Sequence, residues 1–211
     1  MALRNWQRRP FASSACSRFY KTLDAAEFPK LSLEIITNLQ LLTPSKWEEF
    51  KNLHDFPISF KVSVDGANKE TYEENRRGAS LETLCENLRY FKEWRTRADN
   101  KIKNIGLNFI IQENNIVELE DFCRFAQSMG VDEVWFQQIY NWGTFSDEEF
   151  KLVNPFHKEN PQYTENIQKL RSVLNREWGG VIQQNILSPQ KEYKRLWGIN
   201  YLTMASKLKV V

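Results

Sequence analysis

Short apolar runs at Ser32 to Thr37, Ile58 to Val64, Ile102 to Ile111 and Asp132 to Gln137 are the right length for strands. Between them, apolar residues recur at helical spacing. Ala12 to Ala25 carries Phe19 and Leu23 four apart. Thr43-Pro44 is a cap followed by proline at the first helical position, leading a helix with Trp47, Phe50 and Leu53 on one face. Ser80 opens a long helix to about Arg97 with the stripe Leu81, Leu84, Leu88 and Phe91. Asn115 to Met129 is a further helix, stopped by Gly130. Strand and helix alternating at roughly 25 to 45 residues per unit predicts right-handed crossovers and a parallel α/β sheet.

The second strand has an unusual pattern. Ile58, Phe60, Val62 and Val64 alternate with Ser59, Lys61, Ser63 and Asp65. Strands of a parallel sheet are usually apolar on both faces, because helices cover both sides. One polar face therefore predicts a strand that looks into a solvated cavity, as in a barrel or half-barrel. From about Asn141 the pattern changes to aromatic and charged helical pieces starting near Ser146, Glu165 and Gln190. Pro155, Pro161, Gly179-Gly180 and Pro189 separate them. The expected organisation is a loose basic leader over residues 1–10, a partial (β/α) barrel over 11–143 and a helical C-terminal extension over 144–211.

Composition narrows the classes of function. Of 211 residues, 41% are hydrophobic and 27% charged, ordinary for a globular protein, and the net charge of +2 makes no global case for nucleic acid or an anionic membrane. Lys101, Lys103 and the leader arginines lack interleaved aromatic residues for base stacking. No apolar run approaches the roughly 20 residues that cross a bilayer, and the expected location is the cytoplasm. Cys16, Cys85 and Cys123 are the three cysteines, an odd and scattered set without CxxC or CxxxC spacing. Cys85 and Cys123 sit on apolar helical stripes, where cysteine packs as a small hydrophobe. No sequence-local metal site is visible. His54 and His157 have no serine or cysteine at a catalytic spacing and read as structural or exposed.

Candidate chemistry gathers at the carboxyl ends of the strands, where parallel α/β folds bind ligands. Those ends carry Thr37-Asn38, Ser63-Val64-Asp65-Gly66, Gln112-Glu113-Asn114-Asn115 and Gln137-Gln138. Counting back by twos places Glu34 with Asn38, Lys61 with Ser63 and Asp65, and Asn108 with Gln112. The strands thus agree in presenting polar residues to one rim. The plain alternative for each residue is a helix cap or turn, as for Asn115 and Asp65-Gly66. Lys61 on the polar face is an ion-pair partner for Glu34, or an amine that burial would make nucleophilic in a metal-independent lyase.

Thr37-Asn38, Val62-Ser63-Val64-Asp65-Gly66-Ala67, Glu70-Thr71-Tyr72-Glu73 and Arg77-Gly78 resemble the central run of radical S-adenosylmethionine (radical SAM) enzymes. The likeness continues through Asn108-Phe109-Ile110-Ile111-Gln112, Gly130-Val131-Asp132 and Phe136-Gln137. It spans roughly residues 10 to 143, with the motifs in order. The resemblance implies a six-unit partial (β/α) barrel and a [4Fe–4S] cluster held by a CxxxCxxC loop. SAM would be chelated to the open iron and cleaved reductively to a 5′-deoxyadenosyl radical. It further implies Ser63 and Asp65 near the SAM ribose, Asn38 near the methionyl end, Arg77 near the carboxylate, and Gln112 and Gln137 on the adenosine or substrate side.

The chain departs from that family at defined places. The CxxxCxxC loop is absent, so the cluster ligands are missing. Gln7-Arg8-Arg9-Pro10-Phe11 stands where a Gly-Gly-Glu-Pro-like run is usual, and Leu39 replaces the glycine after Thr-Asn. The expectation is the latter four units of a radical SAM barrel, truncated at the N-terminus and non-catalytic as written, with no catalytic or metal-binding residue assigned. The alternative is a degenerate module that binds SAM, a nucleotide or a protein without turnover. Substrates of the family range over peptides, proteins and small metabolites. The sheet edge left open by missing strands is expected to self-associate.

Overall fold

The computed structural model describes residues 11–179 and 181–186. The leader expected over residues 1–10 and the helix expected from Gln190 lie outside the described residues. Within them the chain runs α1 (Ser14–Thr22), β1 (Leu33–Thr37), α2 (Pro44–Glu48), a 3-10 helix (Lys51–Asp55), β2 (Ile58–Ser63), α3 (Lys69–Asn75) and α4 (Leu81–Trp94). It continues through β3 (Ile102–Ile111), a 3-10 turn (Ile116–Glu118), α5 (Leu119–Met129), β4 (Glu133–Gln138), α6 (Asp147–Val153), α7 (Tyr163–Leu174) and β5 (Ile182–Ile186). The strands form one sheet in the order β1-β2-β3-β4-β5, and every neighbouring pair is parallel. Sequential order without reversal means that each crossover steps the same way, so the connecting helices gather on one face.

Local signals set the element ends. The Thr43 side chain accepts from Lys46 N–H with Pro44 in the first turn, and Ser80 accepts from Thr83 N–H at the start of α4. Ser146 and Glu149 form a reciprocal capping box on α6. Gly130 ends α5 at φ 66°, a left-handed conformation that suits glycine.

Two differences from the sequence reading matter. The segment after residue 143 contains α6 and α7 but also β5, which pairs with β4. The extension therefore adds a strand to the sheet and is not purely helical. The helix expected from Pro44 breaks into α2 and a 3-10 helix, so Trp47 and Leu53 point into the core from two pieces.

The core lies between the sheet and its helices. Phe60, Val62, Val64, Leu107, Phe109, Ile111, Val134 and Phe136 are buried, as are Leu84, Leu88, Phe91, Phe122 and Ala126 from α4 and α5. Phe109 packs 4.4 Å from Phe122 between ring centroids, joining β3 to α5. At the other end Trp47 meets Phe60, Phe91 and Trp94 edge-on. His54 stacks on Trp47 at 4.5 Å, with Nε2 3.1 Å from the Trp47 carbonyl oxygen. Cys16 and Cys123 are buried and Cys85 is half-buried, all as free thiols. No helix among the described residues is long and apolar enough to cross a membrane.

Burial, the largest influence, holds the His54 pKa below its ordinary value, with the Trp47 carbonyl and Glu48 pulling the other way. The unfolded chain titrates near 6.5, so the unfolded state takes up the proton first. The His54 contribution is complete above that pH and is lost as pH falls through the lower folded value. In thermal melts at stepped pH, His54→Phe is therefore expected to lose less stability than the wild type on acidification below about 6.5. Parallel pH profiles for the two proteins would refute the assignment.

Candidate functional site

Strict alternation along parallel strands produces two unlike faces. Ile35, Phe60, Leu107 and Phe136 point to the helices, while the residues between them form a second, half-open face. Register places Ile36, Lys61, Gly106 and Glu133 in one row. Ser63, Asn108 and Trp135 form the next row, and Ile110 and Gln137 the one beyond. The polar face read from β2, and the polar rim expected of all four strands, thus belong to one surface that crosses β1 to β4.

The side chains on this face hold one another in place. Lys61 Nζ lies 3.1 Å from Glu34 Oε2 and 4.8 Å from the centroid of the Trp135 ring, so an ion pair and a cation–π contact fix it. Glu133 accepts from Asn104 Nδ2. Its chain crosses Gly106, where an added Cβ would stand 2.8 Å from Glu133 Cγ. Asn108 Nδ2 donates to Gln137 Oε1 at 3.3 Å. The Trp135 indole N–H is buried without a hydrogen-bond partner among the described residues.

Above the face, a network of amides and carboxylates ties the strand ends together. Asp65 is 4% exposed and adopts φ 60°, a left-handed conformation that aspartate tolerates better than most residues. Its Oδ1 accepts from Ile110 N–H at 2.7 Å, and its Oδ2 meets Arg76 Nη2 at 2.5 Å. The Asp65 carbonyl accepts from Asn75 Nδ2 and from Asn115 Nδ2. Asn115 is fully buried, and its Oδ1 accepts from Gln112 N–H at 2.7 Å. Glu118 completes the loop by accepting from Ala67 N–H and Asn68 Nδ2, both at 2.7 Å. Gly66 is required for a steric reason, since a Cβ there would stand 2.5 Å from Tyr72 N.

Burial, the dominant effect, holds the Asp65 carboxyl above the usual carboxylate range, with Arg76 and Ile110 N–H acting against it. The ion pair therefore offsets desolvation and sets geometry more than it adds net stability. Tyr72 is pushed up to about 12, again mainly by burial. Its hydroxyl accepts from Gln40 Nε2, which also donates to the Ser80 carbonyl.

Of the residues singled out from sequence, Ser63 and Gln137 lie on the polar face, with Asn38 just past the end of β1 and Gln112 just past β3. Asn38 Oδ1 accepts from Gln40 N–H at 3.3 Å, closing a turn. Asp65 is placed differently from what its resemblance to a ribose ligand implies. Both carboxylate oxygens are taken by protein groups in a buried site. Arg77 is exposed, and its neighbour Arg76 makes the ion pair. Asn115 ties strand ends together and does not cap the following 3-10 turn. Asn108, placed with Gln112 from its spacing, lies on the face as expected, and Asn104, Glu133 and Trp135 complete it, with period-two spacing along β3 and β4 as the available signal. Two surface clefts, about 480 Å³ beside Lys21, Asn52 and Asp55 and about 320 Å³ beside Val117, Lys169 and Val173, are lined by helix and loop residues away from this face.

The cysteines do not fit an iron–sulfur cluster. Cys16, Cys85 and Cys123 sit on α1, α4 and α5, and no group of three metal-binding side chains converges among the described residues. Burial raises the thiol of Cys85 and pushes that of Cys123 up to about 12, which disfavours the thiolate that a cluster requires.

No protein-family model matches the chain, and no curated protein matches it in sequence. Solved structures do match in fold. SuiB of Streptococcus suis aligns with a TM-score of 0.57 at 14% identity, over 87% of this chain and 41% of that one. SuiB bound to the precursor peptide SuiA gives 0.54 at 12%, over 90% and 39%. SuiB bound to S-adenosylmethionine gives 0.54 at 14%, over 87% and 41%. The chain thus spans about two fifths of the length of these structures. At such identities the likeness establishes a shared α/β architecture.

The latch at Asp65 yields a direct test. Asparagine keeps the acceptor for Ile110 N–H and tolerates the left-handed backbone, but it strips Arg76 of its counter-charge. Breaking a fully buried pair costs about 3 kcal/mol or more, and Arg76 is partly exposed, so Asp65→Asn is expected to destabilise by about 2 kcal/mol in urea unfolding. Adding Arg76→Met removes the orphaned charge and should recover most of that loss. A double variant no more stable than the single one would show that the pair is not the source.

Proposed function

We propose that the chain is a radical SAM-type (β/α) domain whose polar sheet face holds a nucleoside-bearing ligand of the SAM class, while its own cysteines supply no cluster. The carrying observation is the second face of the sheet. Lys61, Ser63, Asn108, Trp135 and Gln137 stand there in adjoining rows, while the opposite face of the same strands carries the buried Phe60, Val62, Leu107, Phe109, Val134 and Phe136. Hydroxyl and amide groups at that spacing suit ribose and purine edges. In this reading Asn38, Ser63, Gln112 and Gln137 contact the ligand, and Asp65 positions the β2 loop through Ile110 and Arg76 without touching it. Arg77, exposed at the end of α3, is left free to approach an anionic ligand group from the rim.

Support comes from two independent sources. The motif order from Thr37 to Gln137 resembles radical SAM enzymes. The fold is shared with a protein solved both with S-adenosylmethionine and with a precursor peptide. We assign the whole protein a SAM-type cofactor and a peptide substrate on that basis. Reductive cleavage of SAM belongs to the cluster-bearing family. The alternative of a metal-independent lyase is disfavoured because Lys61 is already held by Glu34 and Trp135.

Calorimetric titration with S-adenosylmethionine, with adenosine and methionine as controls, tests this reading. Saturable binding is expected, weakened about tenfold by Asn108→Leu or Gln137→Leu, the cost of one unpaired polar contact. Absence of heat at millimolar SAM with a folded protein would overturn it.

A further inference from the structure

The loop between β1 and α2 is tied to the start of α4 by one side chain. Gln40 Oε1 accepts from Ser80 N–H at 2.9 Å. Its Nε2 donates to the Ser80 carbonyl at 3.0 Å and to the Tyr72 hydroxyl at 3.1 Å. Ser80 is the N-cap of α4. In a capping box a glutamate or glutamine three places on reaches back to the cap's N–H, but Thr83 stands there and is too short to do so. Gln40, 40 residues away in sequence, takes that place.

This tie joins two parts of the ligand rim, which a local cap would leave separate. Asn38 lies two residues before Gln40, and the exposed Arg77 lies three residues before Ser80. Gln40 N–H donates to Asn38 Oδ1 at 3.3 Å, so Nδ2 is the group that Asn38 can offer a ligand. Neither that Nδ2 nor the Arg77 guanidinium has a partner among the described residues. Leu39 fixes the loop between its ends. Its N–H donates to Thr37 Oγ1 at 2.9 Å, and its carbonyl accepts from the buried Asn87 Nδ2 at 2.7 Å. The sheet face mixes donors and acceptors, whereas these two groups are donors alone, one of them charged. Such a pair suits a carboxylate.

We propose that Gln40 is a positioning residue that holds Asn38 and Arg77 to one corner of the rim, where both donate to the carboxylate of the ligand's amino-acid end. The assignment rests on the SAM-class reading and extends it. The sheet face takes the nucleoside, and the corner set by Gln40 selects ligands that carry the charged tail. Gln40 itself touches no ligand.

S-adenosylhomocysteine and 5′-methylthioadenosine share a nucleoside and a neutral thioether and differ in the amino-acid tail, so calorimetric titration with both tests the assignment. The wild type is expected to bind S-adenosylhomocysteine more tightly. Gln40→Leu is expected to weaken that compound about tenfold, the loss of one contact to a charged group, and to leave 5′-methylthioadenosine unchanged. It also strips Ser80 N–H of its partner, so the melting temperature should fall. Adding Thr83→Glu completes a local capping box and should restore the melting temperature without restoring the affinity. This double variant carries the test if Gln40→Leu alone fails to fold. Arg77→Gln, at an exposed site, is expected to give the same selective loss, and Gln40→Leu added to it should cost little more, since both act on one contact. Affinity that returns with the cap overturns the assignment, because Gln40 would then serve α4 alone. Unchanged binding in Gln40→Leu, equal weakening of both compounds, or fully additive losses with Arg77→Gln overturns it too. A wild type that binds both compounds equally, or neither, does the same, while titration with SAM reports separately on the ligand reading.

Discussion

The constraint on which the structure rests is the two-residue period of its strands set against helices on one side only. Apart from Thr37, Lys103 and Gln138 near the strand ends, every second residue of β1 to β4 is apolar and meets α4, α5 and the aromatic cluster around Trp47. The residues between them are free of that demand. They are polar because water or a ligand reaches them, and the row register then brings Lys61, Gly106 and Glu133 side by side. A one-residue slip of any strand would exchange the two sets and bury Lys61, Asn108 or Glu133 against Phe122 and Leu88. The polar face is therefore a consequence of how the core is packed.

The ends of the strands need a second device. Their backbone groups leave the ladder at the point where a ligand would approach, and each must still find a partner. Asp65, Asn75, Asn115 and Glu118 provide those partners from three separate elements, so that the loops after β2 and β3 become one unit. Leu39, at φ 57°, is the comparable case after β1. A leucine there costs about 1 to 2 kcal/mol of backbone strain, and the structure compensates by burying its side chain and bonding its carbonyl to Asn87. Glycine, the usual residue in the family it resembles, would avoid the strain but leave that part of the core empty.

Most of the sheet was legible because its signals are local. Strand alternation, the Thr43-Pro44 start, the Ser80 cap and the Gly130 stop all depend on residues close in sequence. α3 was not legible, since Tyr72 is its only buried residue and one residue makes no stripe. β5 escaped for a related reason. Gln183, Gln184 and Asn185 break any apolar run, and its pairing with β4 is a long-range event. At the site, the polarity of Ser63, Asn108 and Gln137 could be read from spacing. The engagement of Asp65 could not, because Ile110 lies 45 residues away. The choice between Arg76 and Arg77 turns on the backbone at the end of α3, where Arg76 adopts φ −118° and ψ 59°. Adjacent arginines give no hint of such a geometry.

The placement of charge on the open face bears on what it can bind. Lys61 is the most enclosed cation there, yet Glu34 and Trp135 already satisfy it. A ligand must then either displace Glu34 or contact the face through neutral groups. Displacing Glu34 would leave a carboxylate facing solvent at the sheet edge, which costs little because that side chain is already about half exposed at 49%. The Trp135 N–H is buried and has no hydrogen-bond partner among the described residues, so an acceptor brought to it would add a hydrogen bond without breaking one seen there. A ligand that combines an acceptor for Trp135 with hydroxyl and ring-nitrogen groups for Ser63, Asn108 and Gln137 fits this surface better than a simple anion. The nucleoside-bearing ligand proposed above carries groups of this kind.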